Sequence, residues 1–213
     1  VAIQELSSVV ADFLADALHD IYPYQALHPQ DFGWHFRGVG LLSKYPIGAD
    51  RYWQFAELPE THGQQRAVIR IDEQPIVIYN VHICPALALY SGEQAVLSRE
   101  TTIAHQAALS RLIGQVWTET QPLILLGDFN MSPQFQDYRV LTTRLTDSFR
   151  QEGYGMGYTY PACGLGPLGA FVRIDYIFHS PNIATHRSRV LDGCPVSDHH
   201  PVWAELLLPP NSN

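Results

Sequence analysis

Five short runs in this chain set a carboxylate or an imidazole at the end of an apolar stretch or inside one. They are Ile3-Gln4-Glu5, Tyr79-Asn80-Val81-His82, Leu126-Gly127-Asp128-Phe129-Asn130, Arg173-Ile174-Asp175-Tyr176-Ile177-Phe178 and Ser197-Asp198-His199-His200-Pro201-Val202. An unpaired charge against a hydrophobic core costs several kcal/mol or is neutralised, so chains rarely place one there without a partner. Five such points in one chain predict a fold whose strand ends converge on a single polar site.

The apolar pattern around these runs predicts alternating strands and helices. Ser7 or Ser8 can cap a helix running to about His19, with Val9, Val10, Phe13, Leu14, Ala17 and Leu18 as a stripe that should pack on a sheet. Val39 to Ser43 predicts a strand with Lys44-Tyr45-Pro46 as its turn, and Arg66–Ile71 and Ile76–Val81 predict a hairpin joined by Asp72-Glu73-Gln74-Pro75. After a loop from Cys84 to Leu97, Ser98 is expected to open a long helix. Its Ala104, Ala108, Leu109, Leu112, Ile113 and Val116 recur at helical spacing. Leu123 to Leu126 is a continuous apolar run, as in a strand buried on both faces, which sets Asp128 at a strand tip. Gly153 to Gly169 is a long loop rich in Gly and Tyr, and strands near Ile174–Phe178 and Val202–Leu208 complete the pattern. No repeat or domain boundary interrupts it, so residues 1–208 are expected to form one domain and 209–213 a tail.

A chain of 213 residues with 46% hydrophobic and 16% charged residues can bury a sizeable core, which excludes a disordered chain. Thirteen basic against 21 acidic residues give a net charge of -8, which weakens any picture of a broad basic surface gripping nucleic acid. Cys84, Cys163 and Cys194 show neither CxxC nor zinc-ligand spacing, so no disulfide framework or zinc module is indicated, and a single pair stays open. No stretch reaches the roughly 18–20 apolar residues of a membrane span, and the start lacks a signal-peptide pattern. The piece is expected to be soluble, compatible with the cytoplasm or with the extramembranous part of a longer anchored or secreted chain.

Taken in order, Glu5, His82, Asp128 with Asn130, Asp175, and Asp198 with His199 resemble the endonuclease/exonuclease/phosphatase superfamily of metal-dependent phosphoesterases. That family includes DNase I, abasic-site endonucleases, neutral sphingomyelinases and inositol-polyphosphate phosphatases. The resemblance runs from Val1 to about Leu208. Gly-Asp-Phe-Asn and Ser-Asp-His-His-Pro-Val are its most specific blocks, supported by Gly40-Leu41-Leu42-Ser43 before Pro46 and by Arg99 to Gln106. The family normally begins with a strand ending in Asn and a helix, whereas this chain opens at the element carrying Glu5. The resemblance therefore implies that a first strand and helix are missing from this piece. It also implies an α/β fold, a DNase I-like sandwich of two mixed β-sheets flanked by helices.

The same resemblance implies roles. Glu5 would be the principal ligand of Mg²⁺ or Mn²⁺ with Asp198 as a further ligand, in keeping with the preference of hard cations for oxygen donors. Asp128 would position and deprotonate the attacking water, and the Asn130 amide would hold that water or a phosphate oxygen. His199, oriented by Asp175, would clamp the phosphate, and His82 would touch the scissile phosphate or leaving group. Arg66 is a further candidate for phosphate contact. His19, His28, His105, His186 and His200 are expected to be structural, with His35, His62 and His179 open. Tyr154, Tyr158 and Tyr160 are expected to pack on their own sheet rather than line a substrate rim. The implied activity is hydrolysis of a phosphoester, more specifically a diester, in a phospholipid, a small molecule or a nucleic acid. A monomer with no stable protein partner is implied. The rivals are a nuclease proper and a non-catalytic binding domain on the same scaffold.

Overall fold

The computed structural model describes residues 1–32, 35–54, 62–85, 93–163 and 169–210, with 32, 35–36 and 93–101 described through their backbone alone. The chain divides into two compact units, Val1–Asp128 and Phe129–Asn213.

The first unit contains β1 (Ala2–Leu6), α1 (Ser8–Ala17), β2 (Tyr24–His28), β3 (Asp31–Phe32), β4 (His35–Phe36), β5 (Gly38–Ser43), β6 (Ile47–Trp53), β7 (Gln64–Ile71), β8 (Gln74–His82), α2 (Glu93–Val116) and β9 (Leu123–Asp128). One sheet has the order β1-β5-β2 with antiparallel pairs, and a second runs β9-β8-β7-β6. The β8–β9 pair is parallel, as expected when an intervening helix carries the chain back, and it makes this sheet mixed. Along β8 the alternation of side chains puts Ile76, Ile78 and Asn80 on one face. Asn80 crosses to the other sheet, its Nδ2 donating to the carbonyls of Gly40 (2.9 Å) and Ile3 (3.2 Å) while its Oδ1 accepts from Gln4 Nε2 (2.6 Å).

The expected hairpin forms with a tighter turn than the tetrapeptide: Ile71 pairs with Gln74, and Asp72 and Glu73 both take positive φ, 48° and 66°. Two consecutive left-handed residues match the right-handed twist of the flanking strands. The long helix begins at Glu93 rather than Ser98, and all six of its expected core positions are buried. Helix α1 is capped as expected, Ser7 Oγ accepting from the Val10 N–H, but its orientation differs from the expected stripe. Val9, Val10 and Phe13 are 79%, 46% and 68% exposed, and the less exposed stripe is Ala11, Leu14, Ala15 and Leu18. Strands β2 and β6 have no counterpart in the sequence expectation, because their residues mix polar and aromatic types without clean alternation. The loop expected from Cys84 falls largely on 86–92, outside the described residues.

The second unit contains α3 (Gln136–Leu141), β10 (Thr146–Asp147), α4 (Ser148–Glu152), β11 (Asp175–His179), β12 (Ala184–Val190) and β13 (Val202–Leu207), with β10–β11 and β12–β13 antiparallel. Its core is aromatic: Phe129 meets Tyr176 and Phe178 edge-on at 5.7 and 5.3 Å, and Tyr176 stacks on Phe178 at 5.2 Å. Beside it Asp147, 4% exposed, accepts from Arg173 Nη2 (2.6 Å) and Nη1 (3.2 Å), from Tyr138 Oη (2.7 Å), and from the backbone N–H groups of Phe149 and Arg150 that open α4. A buried carboxylate is tolerated here because its lone pairs are taken up by donors. Cys163 and Cys194 form a disulfide with Cα atoms 5.2 Å apart, and Cys84 is a buried free thiol. Among the described residues no helix is long and apolar enough to cross a membrane.

Candidate active site

In the first unit the parallel register of β8 and β9 places His82 directly opposite Asp128. Their strands approach so closely that a Cβ on Gly127 would lie 2.0 Å from the Val81 carbonyl oxygen, and Gly127 has φ +132°. Only glycine fits that position. The Gly of Gly-Asp-Phe-Asn therefore sets Asp128 at the strand tip beside His82. His82 Nε2 lies 3.6 Å from Asp128 Oδ2 and 3.8 Å from Glu5 Oε1, beyond hydrogen-bond length.

Glu5 reaches this corner through an unusual backbone. The β1–β5 register shifts between Gln4 and Leu6, and Glu5 takes φ +55°, a left-handed conformation uncommon for a residue with a side chain. Such a bulge re-aims a side chain at the end of a strand, and the Asn80 bonds to Ile3 and Gln4 hold the strand just before it. Glu5 is 60% exposed, whereas His82 is 2% exposed. His62, left open by the sequence, packs its ring on His82 with centroids 4.0 Å apart.

In the second unit His199 Nδ1 lies 2.8 Å from Asp175 Oδ2. A carboxylate can only accept, so Nδ1 carries the proton of this bond. Asp175 is fixed in turn: its N–H and that of Ile174 both donate to the buried Thr159 hydroxyl, at 3.3 and 3.1 Å. The Tyr160 ring lies 4.9 Å from that of His199, so this tyrosine lines the site instead of packing away from it. Asn130 also takes a left-handed φ, 47°, just after Phe129, whose N–H donates to the Ile174 carbonyl at 3.0 Å. Phe129 thus anchors the run, and Asn130 turns out of it. Asp198 is exposed, its backbone oxygen accepting from the Ala162 N–H at 2.6 Å.

The structure brings Glu5, His82 and Asp128 together in one unit and Asp175 with His199 in the other. It removes Arg66 from the candidates: the guanidinium is bound in a fork by Glu119, at 2.6 and 2.9 Å, and lies beside Tyr79. The Arg66 hydrogen bonds hold the Glu119 carboxyl below its ordinary range. His28 does have an acid partner, Asp50 at 2.6 Å, supplied by a strand that the sequence did not announce. His105 and His200 are structural as expected, bonded to the Cys84 carbonyl and the Gly193 N–H. His179, fully buried and bonded to Thr185, joins them, and burial lowers its pKa below the ordinary 6.5. Tyr154 is 99% exposed. The His35 and Arg99 side chains lie outside the described residues. Glu5 and Asp198 are exposed carboxylates, a donor chemistry that fits Mg²⁺ or Mn²⁺.

A model of the endonuclease/exonuclease/phosphatase family matches residues 1–199. No curated protein matches the chain by sequence. Among solved structures, an endonuclease/exonuclease/phosphatase family protein from Leptotrichia buccalis is similar at 20% identity, over 97% of this chain and 86% of that one, with a TM-score of 0.69. A mannosyl-6-phosphatase from Bacteroides thetaiotaomicron is similar at 18% identity over 92% and 82%, with a TM-score of 0.62. D. rerio TDP2 complexed with single-strand DNA product is similar at 14% over 97% and 85%, with a TM-score of 0.69. These likenesses show the fold, a DNase I-like arrangement of mixed sheets flanked by helices.

Proposed function

The chain belongs to the endonuclease/exonuclease/phosphatase family, whose members are generally hydrolases of phosphoesters, and from that membership we propose that it hydrolyses a phosphodiester with a divalent cation, Mg²⁺ or Mn²⁺. The observation that carries this reading is the Asp175–His199 pair, in which a carboxylate orients an imidazole that, as an imidazolium, would donate from Nε2 to a phosphate oxygen. The family match runs across both units, in support of one catalytic domain.

Glu5 and Asp198 would hold the cation, which when bound neutralises charge on the anionic ester. Asp128 takes the proton of the attacking water, and the Asn130 amide holds that water or a phosphate oxygen. His199, kept in place by Asp175, would donate as an imidazolium to a non-bridging oxygen as negative charge develops there. His82 touches the phosphate or the departing oxygen.

For the substrate, the net charge of -8 favours a phospholipid or a small diester over a long nucleic acid. The likeness to TDP2, solved with a DNA product, favours the second reading, a nuclease. The test is hydrolysis of bis(p-nitrophenyl) phosphate with Mg²⁺, Mn²⁺ or chelator, comparing the chain with Asp128→Ala. Metal-dependent turnover that falls by about 10²–10⁴ in the variant is expected for loss of a general base. Equal turnover by both proteins overturns the assignment. Salt-sensitive cleavage of plasmid DNA would favour the nuclease.

A further inference from the structure

His199 does its proposed work from a segment with little apolar anchoring. Between Asp192 and Ser197 the chain closes a turn through local bonds: Cys194 N–H to Asp192 Oδ1 at 3.1 Å, and the Val196 and Ser197 N–H groups to the Gly193 carbonyl at 3.0 Å each. Val196, its one large apolar side chain, is 94% exposed. Turns held by solvent-exposed backbone bonds open at low free-energy cost.

What fastens this segment comes from residues 159–163. The Ala162 N–H donates to the Asp198 carbonyl at 2.6 Å and the His200 N–H to the Thr159 carbonyl at 2.8 Å, one bond on each side of His199. Gly193 fits under the segment only because it lacks a side chain, since a Cβ there would lie 2.2 Å from the His199 carbonyl oxygen. The Cys163–Cys194 disulfide joins the same two stretches covalently. Thr159 also receives the Asp175 N–H, so one short stretch holds both members of the Asp175–His199 pair.

We propose that Cys163 and Cys194 are positioning residues for His199, and that their disulfide makes the site responsive to dithiol reductants. The inference rests on the reading of His199 as a group that contacts the ester. Both cysteines are exposed, so a dithiol can reach them. The exchange balances: the reductant gives two electrons and two protons, the S–S bond breaks into two thiols, and the reductant closes its own disulfide. The freed 193–200 segment then relies on its backbone bonds, and His199 samples positions away from Asp175.

Protein prepared without reductant should show one free thiol in denaturant, Cys84, of the three cysteines, and three after dithiothreitol. With bis(p-nitrophenyl) phosphate, kcat should fall about 10- to 100-fold on reduction, the scale of a small misplacement of a positioned group. Re-oxidation with glutathione disulfide should restore it, and Cys194→Ser should match the reduced enzyme and ignore the reductant. In His199→Ala, reduction should change the residual rate no further, because the two perturbations act through one group. Independently of turnover, amide hydrogen exchange across residues 193–200 should quicken about tenfold or more on reduction.

Three free thiols that glutathione disulfide cannot close would overturn the proposal. So would unchanged exchange in that segment, or an equal loss of rate on reducing His199→Ala. If the oxidised enzyme hydrolyses no diester, the functional reading fails, while the exchange result still decides whether the disulfide holds the segment.

Discussion

The two units face the same physical problem, holding polar side chains still at the ends of strands, and they solve it differently. In Val1–Asp128 the solution is regular pairing: His82 and Asp128 are aligned by a parallel ladder, and Glu5 is set by a bulge beside Asn80, a neutral amide whose bonds link the two sheets. In Phe129–Asn213 regular pairing is scarce, and cross-links replace it. Asp147 gathers Arg173, Tyr138 and the start of α4, Thr159 fixes Asp175, and the disulfide ties down the segment before His199. A ladder spreads its stability over many weak bonds, whereas cross-links concentrate it in a few groups. Single substitutions should therefore be felt more sharply in the second unit.

Asp147→Ala is the strongest test of that contrast. It leaves the Arg173 guanidinium buried without its counter-charge and uncaps α4, a loss of about 3–5 kcal/mol by comparison with other broken buried pairs. Asn80→Ala removes neutral bonds from a strand that the ladder still holds, and should cost about 1–3 kcal/mol. Urea unfolding of the two variants compares them directly. A larger loss for Asn80→Ala would reverse the contrast. Replacing Asp147 and Arg173 together with apolar residues should recover part of the Asp147→Ala loss, because no unpaired charge then remains.

The same contrast explains what was legible in the sequence. The β7–β8 hairpin, β9 and the buried stripe of α2 follow from periodicity, since long apolar repeats state their own geometry. The Asp128 strand tip follows from an apolar run broken by Gly127, and pairing of Asp175 with His199 follows from family resemblance. Strand β12, Ala-Thr-His-Arg-Ser-Arg-Val, carries almost no apolar signal and is defined by its pairing with β13. The Asp147–Arg173 pair joins residues 26 apart whose partnership no local pattern records. Contacts made by tertiary closure, including His62 on His82 and Asp50 on His28, likewise leave no trace in spacing. Helix α1 misled because Val9, Val10 and Phe13 form a convincing apolar stripe, while the face turned inward is the one with two alanines.

Acid offers the smallest and most selective test, because a group with a depressed pKa in each unit, Glu119 in the first and His179 in the second, acts in a different pH range. In the second unit burial disfavours the charged form of His179, so the folded chain binds its proton less readily than the unfolded chain, whose value is near 6.5. Its contribution is complete above pH 6.5 and is lost as pH falls towards the depressed folded value, with a slope of at most about 1.4 kcal/mol per pH unit. In the first unit Glu119 is held as a carboxylate by Arg66, so its contribution persists above the ordinary 4.5 and declines only below it. Unfolding free energies measured from pH 7.5 to 5 should therefore fall in the native chain and fall less steeply in His179→Gln. Glu119→Gln should lower stability across that range without changing the slope. If His179→Gln keeps the native slope, the burial of His179 is not what makes the second unit sensitive to mild acid.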